Sequence, residues 1–203
     1  MSDEQLEMKK LAESIAKEIS VMATESKWAT RFVWAAIIQG ALISMLTGIL
    51  VLGEFGVFLR TPVSSLISTT VPGIWIALGY FAYLVIGVVG MAVTALFYQY
   101  LEVNLKSPYT RHAKDLAWLH LVLSNVGIIG ASWLVIYSGY VTGVATLSNS
   151  LGGLGRSMNE VAAIVHSQFL FPIAAFASLT ILGIILGGLG YVLVYRERPK
   201  SQF

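Results

Sequence analysis

The chain contains no cysteine. Disulfide frameworks and thiolate metal sites are therefore excluded. Charge is also scarce. Asp, Glu, Lys and Arg make up 12% of the 203 residues, about half the share of an ordinary soluble domain. A formal net charge of +2 argues against a nucleic-acid partner, which calls for a strongly basic face. Residues 1–30 mix acids and bases, and no short apolar core precedes a small-residue cleavage site, so a cleaved secretory leader is not expected.

What the chain has in abundance is apolar sequence, 56% hydrophobic residues in all. A bilayer core about 30 Å thick is crossed by about 20 mostly apolar helical residues. Four stretches meet that length, at about 32–52, 72–98, 116–145 and 169–195, and none has Asp, Glu, Lys or Arg in its middle. A two-span alternative would leave too much apolar surface without a partner. The expected fold is all-α: an integral membrane four-helix bundle (28–203) preceded by a cytoplasmic amphipathic arm (1–27).

Orientation follows from Lys and Arg. Five precede or open the first span (Lys9, Lys10, Lys17, Lys27, Arg31), three lie in the second connection (Lys106, Arg111, Lys114) and three in the tail (Arg196, Arg198, Lys200). The other two connections carry one each, Arg60 and Arg156. Eleven of 13 thus share a side, which the positive-inside rule makes cytoplasmic, with both termini inside the cell membrane. Trp28, Tyr98, Tyr100, Trp118, Tyr191 and Tyr195 fall near span boundaries, as an interfacial aromatic belt would.

In the arm, Met8, Leu11, Ile15, Ile19 and Met22 recur at helical spacing, and Glu13 with Lys17 forms a favourable i,i+4 pair. Balanced charges on the polar face favour docking on a partner subunit over lying on lipid. The first outer connection holds Pro62 and a Ser/Thr cluster. The third holds Leu151-Gly152-Gly153-Leu154-Gly155 and a short helix expected over 157–166. The glycine run lacks the lysine and the strand–helix context of a phosphate loop and reads as a flexible turn.

Small residues are spaced for close helix contact: Gly40, Ser44 and Gly48 in the first span, Gly127 and Ala131 in the third, Gly183 and Gly187 in the fourth. Such ridges let backbones approach. They serve either the bundle itself or other membrane subunits, and the spacing does not separate the two. Polar groups in the spans (Gln39, Ser44, Thr94, Ser124, Asn125, Ser132, Ser178) are neutral and read as helix–helix or back-bonding groups. Glu54 reads as an interfacial carboxylate.

No catalytic or metal-ligating set emerges. His112 and His120 lie on the inner side and His166 in the outer connection, so the three cannot share a site. On one helix His112 and His120 would stand about 12 Å apart, too far for one ion. Asp115 accompanies His112, but no nucleophilic hydroxyl completes a triad. No cofactor is expected, although His120 is the best candidate should a haem bind.

The order of features resembles the last four helices of subunit I of the haem-copper oxidases, in the archaeal and nitric-oxide-reductase-like branches. The resemblance covers about 32–196. Ser65 to Ile76 looks like the approach to the family's tenth helix, and Phe97-Tyr98-Gln99-Tyr100 like its aromatic inner end. Ala113 to His120, through Gly127, looks like entry to the eleventh, and Phe171-Pro172 with the glycine-rich run to Tyr195 like the twelfth. The family's His-x-His haem pair falls here at about Gly79 and Phe81, which cannot bind iron. The resemblance implies topology and helix packing without oxygen chemistry.

The expected function is a non-catalytic accessory subunit of a membrane oxidoreductase complex, of the terminal oxidase or membrane monooxygenase type in a respiratory chain, with other membrane subunits and the lipid bilayer as partners. The alternatives are a small b-type haem or quinone-site subunit and a transporter or channel. The two halves show no convincing internal repeat.

Overall fold

The computed structural model describes residues 3–22, 26–107 and 109–197, with side chains for all of these but 3, 4, 16–22 and 166. Arg198 and Lys200, and the side chains of Lys17, Ile19, Met22 and His166, lie outside the described set. The fold is all-helical, with 85% of residues in helix and no strand among the described residues. Helix α1 is Asp3–Met22, α2 Lys27–Glu54 and α3 the short Val63–Thr69. The long helices α4 (Ile74–Asn104), α5 (Arg111–Thr146) and α6 (Met158–Arg196) follow.

Four helices, α2, α4, α5 and α6, are long and apolar enough to cross a membrane. Every one exceeds the apolar run within it. The last differs most from expectation: the short helix over 157–166 is continuous with the fourth span through a π-helical segment, Val165–Phe169. His166 therefore sits within α6 and not in a connection. A capping box explains the early start. Ser157 Oγ accepts from the Glu160 N–H, and the Glu160 carboxylate accepts from the Ser157 N–H at 2.9 Å, pairing N–H groups at the helix start.

The span helices run alternately up and down. Helix α2 packs on α4, α4 on α5, and the longest seam joins α5 to α6. One core lies at the end where α2 begins, built on Trp28, Phe32, Tyr98, Tyr109 and Val194. A second lies at the opposite end around Ile43, Leu66, Ile76, Tyr83 and Ile136. Between them the Gln39 amide of α2 donates to Asn125 Oδ1 of α5 at 2.7 Å. Helix α4 widens into a π-helical segment, Tyr83–Val89, at this depth. A Cβ at Gly87 within that segment would stand 3.4 Å from Gln39 Oε1.

The connections are tied down. Glu102, near the end of α4, accepts from Ser26 Oγ and from the Trp28 N–H, so its carboxylate caps α2 from outside. Glu54 accepts from both the N–H (2.8 Å) and the hydroxyl (2.5 Å) of Ser64, holding α3 against the end of α2. The glycine-rich connection turns through left-handed Gly152 (φ 84°) and Gly155 (φ 58°). It then folds back on α5, where Leu154, Gly155 and Arg156 donate to the carbonyls of Val144, Leu147 and Ala145. The turn is thus pinned by hydrogen bonds, which a reading as flexible did not foresee.

Candidate functional site

The best-formed polar constellation lies at the end where α2 begins. Helix α5 places the His120 imidazole inside the bundle, 4% exposed. Its Nδ1 lies 3.4 Å from the Tyr98 hydroxyl of α4. Phe32 of α2 leans on the ring at 5.0 Å between centroids, and Tyr191 of α6 meets it edge-on at 6.1 Å. All four spans therefore contribute to one aromatic node. Phe32 and Tyr98 stack at 4.7 Å, and Tyr98 meets Tyr191 at 4.9 Å and Tyr109 at 5.4 Å. The Tyr109 hydroxyl oxygen is buried without a hydrogen-bond partner among the described residues. Outside the spans, burial pushes the Tyr109 hydroxyl far above its ordinary range, with negative charge at Glu102 among the further causes.

The expected interfacial aromatic belt divides in two, and Tyr191 is partly buried. Trp28 (3% exposed) and Tyr98 (1%) are core residues. Tyr100, Trp118 and Tyr195 do face outward. The missed signal was depth: aromatic residues recur at matching distances from the same end of all four spans. His120 is likewise enclosed rather than interfacial. Its ring rests against Gly187 of α6, where even a methyl group would overlap the imidazole. A porphyrin bound at His120 would have to displace Phe32, Tyr191 or the α6 backbone. His112 stands at the start of α5 and is exposed, so the two histidines do not meet. Among the described residues, no three His, Asp or Glu side chains gather as a metal-ligand set.

The small-residue ridges fall into two groups. Gly127 lies against α6, where a Cβ would come within 2.5 Å of the Thr180 N and 2.7 Å of the Phe176 carbonyl oxygen. Gly183 meets Ser124 and Gly187 meets His120 across the same seam. Ala131 lies beside this seam and lines a cavity of about 380 Å³ between α4 and α6. Gly40 and Gly48 face away from the bundle, with nothing within 4 Å of an added Cβ, and Ser44 between them is exposed and back-bonds to the Gly40 carbonyl at 2.8 Å.

Gly79 is consumed by packing: a Cβ there would stand 2.9 Å from the Ser132 carbonyl oxygen, so α4 and α5 cross at this point. Phe81 points outward, 64% exposed. The mid-span hydroxyls mostly bond back to their own helices, as Thr47, Ser138, Thr142, Ser178 and Thr180 do. The Ser124 and Ser132 hydroxyls are buried without a hydrogen-bond partner among the described residues.

A second cavity of about 420 Å³ continues the first toward the far end of the bundle, sharing Trp75, Val135 and Ile173 with it. Together they form an apolar trough over α5, flanked by α4 and α6. The node and the trough offer packing surfaces and neutral hydrogen-bonding groups, and neither presents an acid–base pair or an activated nucleophile. No protein-family model, curated protein or solved structure matches the chain.

Proposed function

We propose that this chain is a non-catalytic accessory subunit of a larger membrane assembly, of the membrane oxidoreductase type that its helix order resembles. The observation that carries the reading is the Gly40–Ser44–Gly48 ridge of α2, which faces outward, with nothing among the described residues against a Cβ added at either glycine. Lipid tails are as apolar as leucine, so helices associate in a bilayer through close packing at small residues. A small-residue ridge that the bundle leaves uncovered suits a helix of another subunit. The arm adds a second contact: Met8, Leu11 and Ile15 of α1 are exposed at helical spacing, in keeping with an amphipathic helix that docks on a partner.

The same reading places both termini in the cytoplasm of a cell with this protein in its boundary membrane, on the strength of the Lys and Arg asymmetry. The absence of cysteine makes that orientation easy to test. An impermeant maleimide should label Arg60→Cys from outside intact cells and leave Lys106→Cys untouched, and the reverse pattern would invert the topology.

The functional test is purification from native membranes in mild detergent, followed by mass spectrometry of the partners. Larger cofactor-bearing subunits should accompany the chain and be lost with Gly40→Leu or Gly48→Leu. Recovery of the chain from native membranes with no partner attached would sink the proposal. A Soret band from the lone chain that vanishes in His120→Ala would replace it with the b-type haem reading.

A further inference from the structure

Arg31 stands near the start of α2 in an unusual setting. Its guanidinium carbon lies 4.4 Å from the Trp28 ring centroid and 4.7 Å from that of Trp118 on α5. The two indoles are 5.5 Å apart and nearly perpendicular, at 81°. They form a corner that holds the cation on two sides. Both contacts are of the cation–π kind.

Among the described residues Arg31 makes no ion pair and gives no hydrogen bond, and a guanidinium carries five N–H donors. The flanking charges are also positive. Lys27 is one turn before Arg31 on α2, and Lys114 one turn before Trp118 on α5; both are exposed. Two acids lie near. Glu102 is engaged by Ser26 and the Trp28 N–H. Asp115 is exposed on α5, three residues before Trp118.

We propose that the Trp28–Arg31–Trp118 corner is a binding site for the headgroup of an anionic phospholipid. Arg31 directly precedes the apolar run of α2, which sets it at headgroup depth. A guanidinium matches a phosphate through two parallel N–H···O bonds. Lys27 and Lys114 then discriminate among phospholipids, because they attract net negative charge and repel the choline cation of a zwitterionic headgroup. Trp118, 47% exposed, is placed to lie along the upper acyl chain. A carboxylate of a partner subunit is the competing occupant. Depth and open lateral access favour the lipid.

The inference is independent of any partner and is tested on the lone purified chain. The protein is titrated in detergent with phosphatidylglycerol and phosphatidylcholine of identical acyl chains, and bound lipid is counted by native mass spectrometry. Phosphatidylglycerol should be retained preferentially, and more weakly at high salt. Arg31→Gln should cut the preference about fivefold, the equivalent of one interfacial charge. Arg31→Lys, which keeps the charge but loses the planar fork, should fall between. Arg60→Gln, at the far end of the bundle, should match the wild type. Circular dichroism checks that each variant keeps its helix. Equal retention of the two lipids by the wild type, or an Arg31→Gln variant with unchanged preference, would overturn the site. So would displacement of the lipid by excess inorganic phosphate, which would mark a free-anion site.

Discussion

Two faces of this molecule carry the same kind of sequence and meet different fates. The α5–α6 seam and the outer face of α2 both repeat small residues every four positions. In the seam, Gly127, Gly183 and Gly187 admit a neighbour so closely that a methyl group would strike backbone or imidazole. On α2, Gly40 and Gly48 look out on open space. Small-residue spacing therefore measures how near a helix can approach and is silent on which helix does so. The same backbone allowance is already used inside the bundle at one place and remains available at the other.

The largest contrast comes from filling each ridge. Gly127→Leu should destabilise the isolated protein by about 3 kcal/mol, the upper range for overpacking, because the obstructing atoms belong to the α6 backbone. Reversible unfolding in mixed micelles measures this. A loss under 1 kcal/mol would mean that the seam yields and the contrast fails.

The node sharpens the comparison. His120→Ala should cost about 2 kcal/mol by leaving a cavity between Phe32, Tyr98 and Gly187. Gly187→Ala alone should also destabilise, since its methyl group meets the imidazole. Combined, the two should be less harmful than their sum by about 1 kcal/mol, because loss of the ring makes room for the methyl group. Strict additivity would show that the two side chains do not share the space.

The amide pair gives a smaller effect. Gln39→Leu removes the hydrogen bond to Asn125 but also removes an acceptor, Gln39 Oε1, that is buried without a partner. Inter-helix hydrogen bonds in membranes contribute about 1 kcal/mol, so the loss should not exceed that figure in the same unfolding assay. The smallest effect is expected on α2. Gly40→Leu and Gly48→Leu should shift the stability of the lone protein by less than about 0.5 kcal/mol while abolishing partner co-purification. Destabilisation by 2 kcal/mol would place that ridge in an internal contact.

Much of the fold was legible in advance. The four spans were found because a bilayer imposes length and apolarity on each helix separately. Their ends were read short: capping by Ser157 with Glu160, and by Glu102 on the start of α2, carries helix beyond the apolar run. The site was less legible. His120 stood out as a residue type, yet its burial depends on Phe32, Tyr98 and Tyr191 arriving from three other helices. Gly79 drew notice as a position without a ligand, whereas its role is to let α4 cross the α5 backbone.

The sequence by itself determined the number of long apolar helices, their alternation and the scarcity of charge within them, because those are one-dimensional properties set by the solvent. Only the tertiary structure decided how each helix is rotated about its axis. In water, an apolar stripe announces which face turns inward. Helices α2 and α6 are apolar on every side, and lipid removes the contrast between inside and outside. Which small-residue ridge is buried, and which is left uncovered, is settled by packing between helices far apart in the chain.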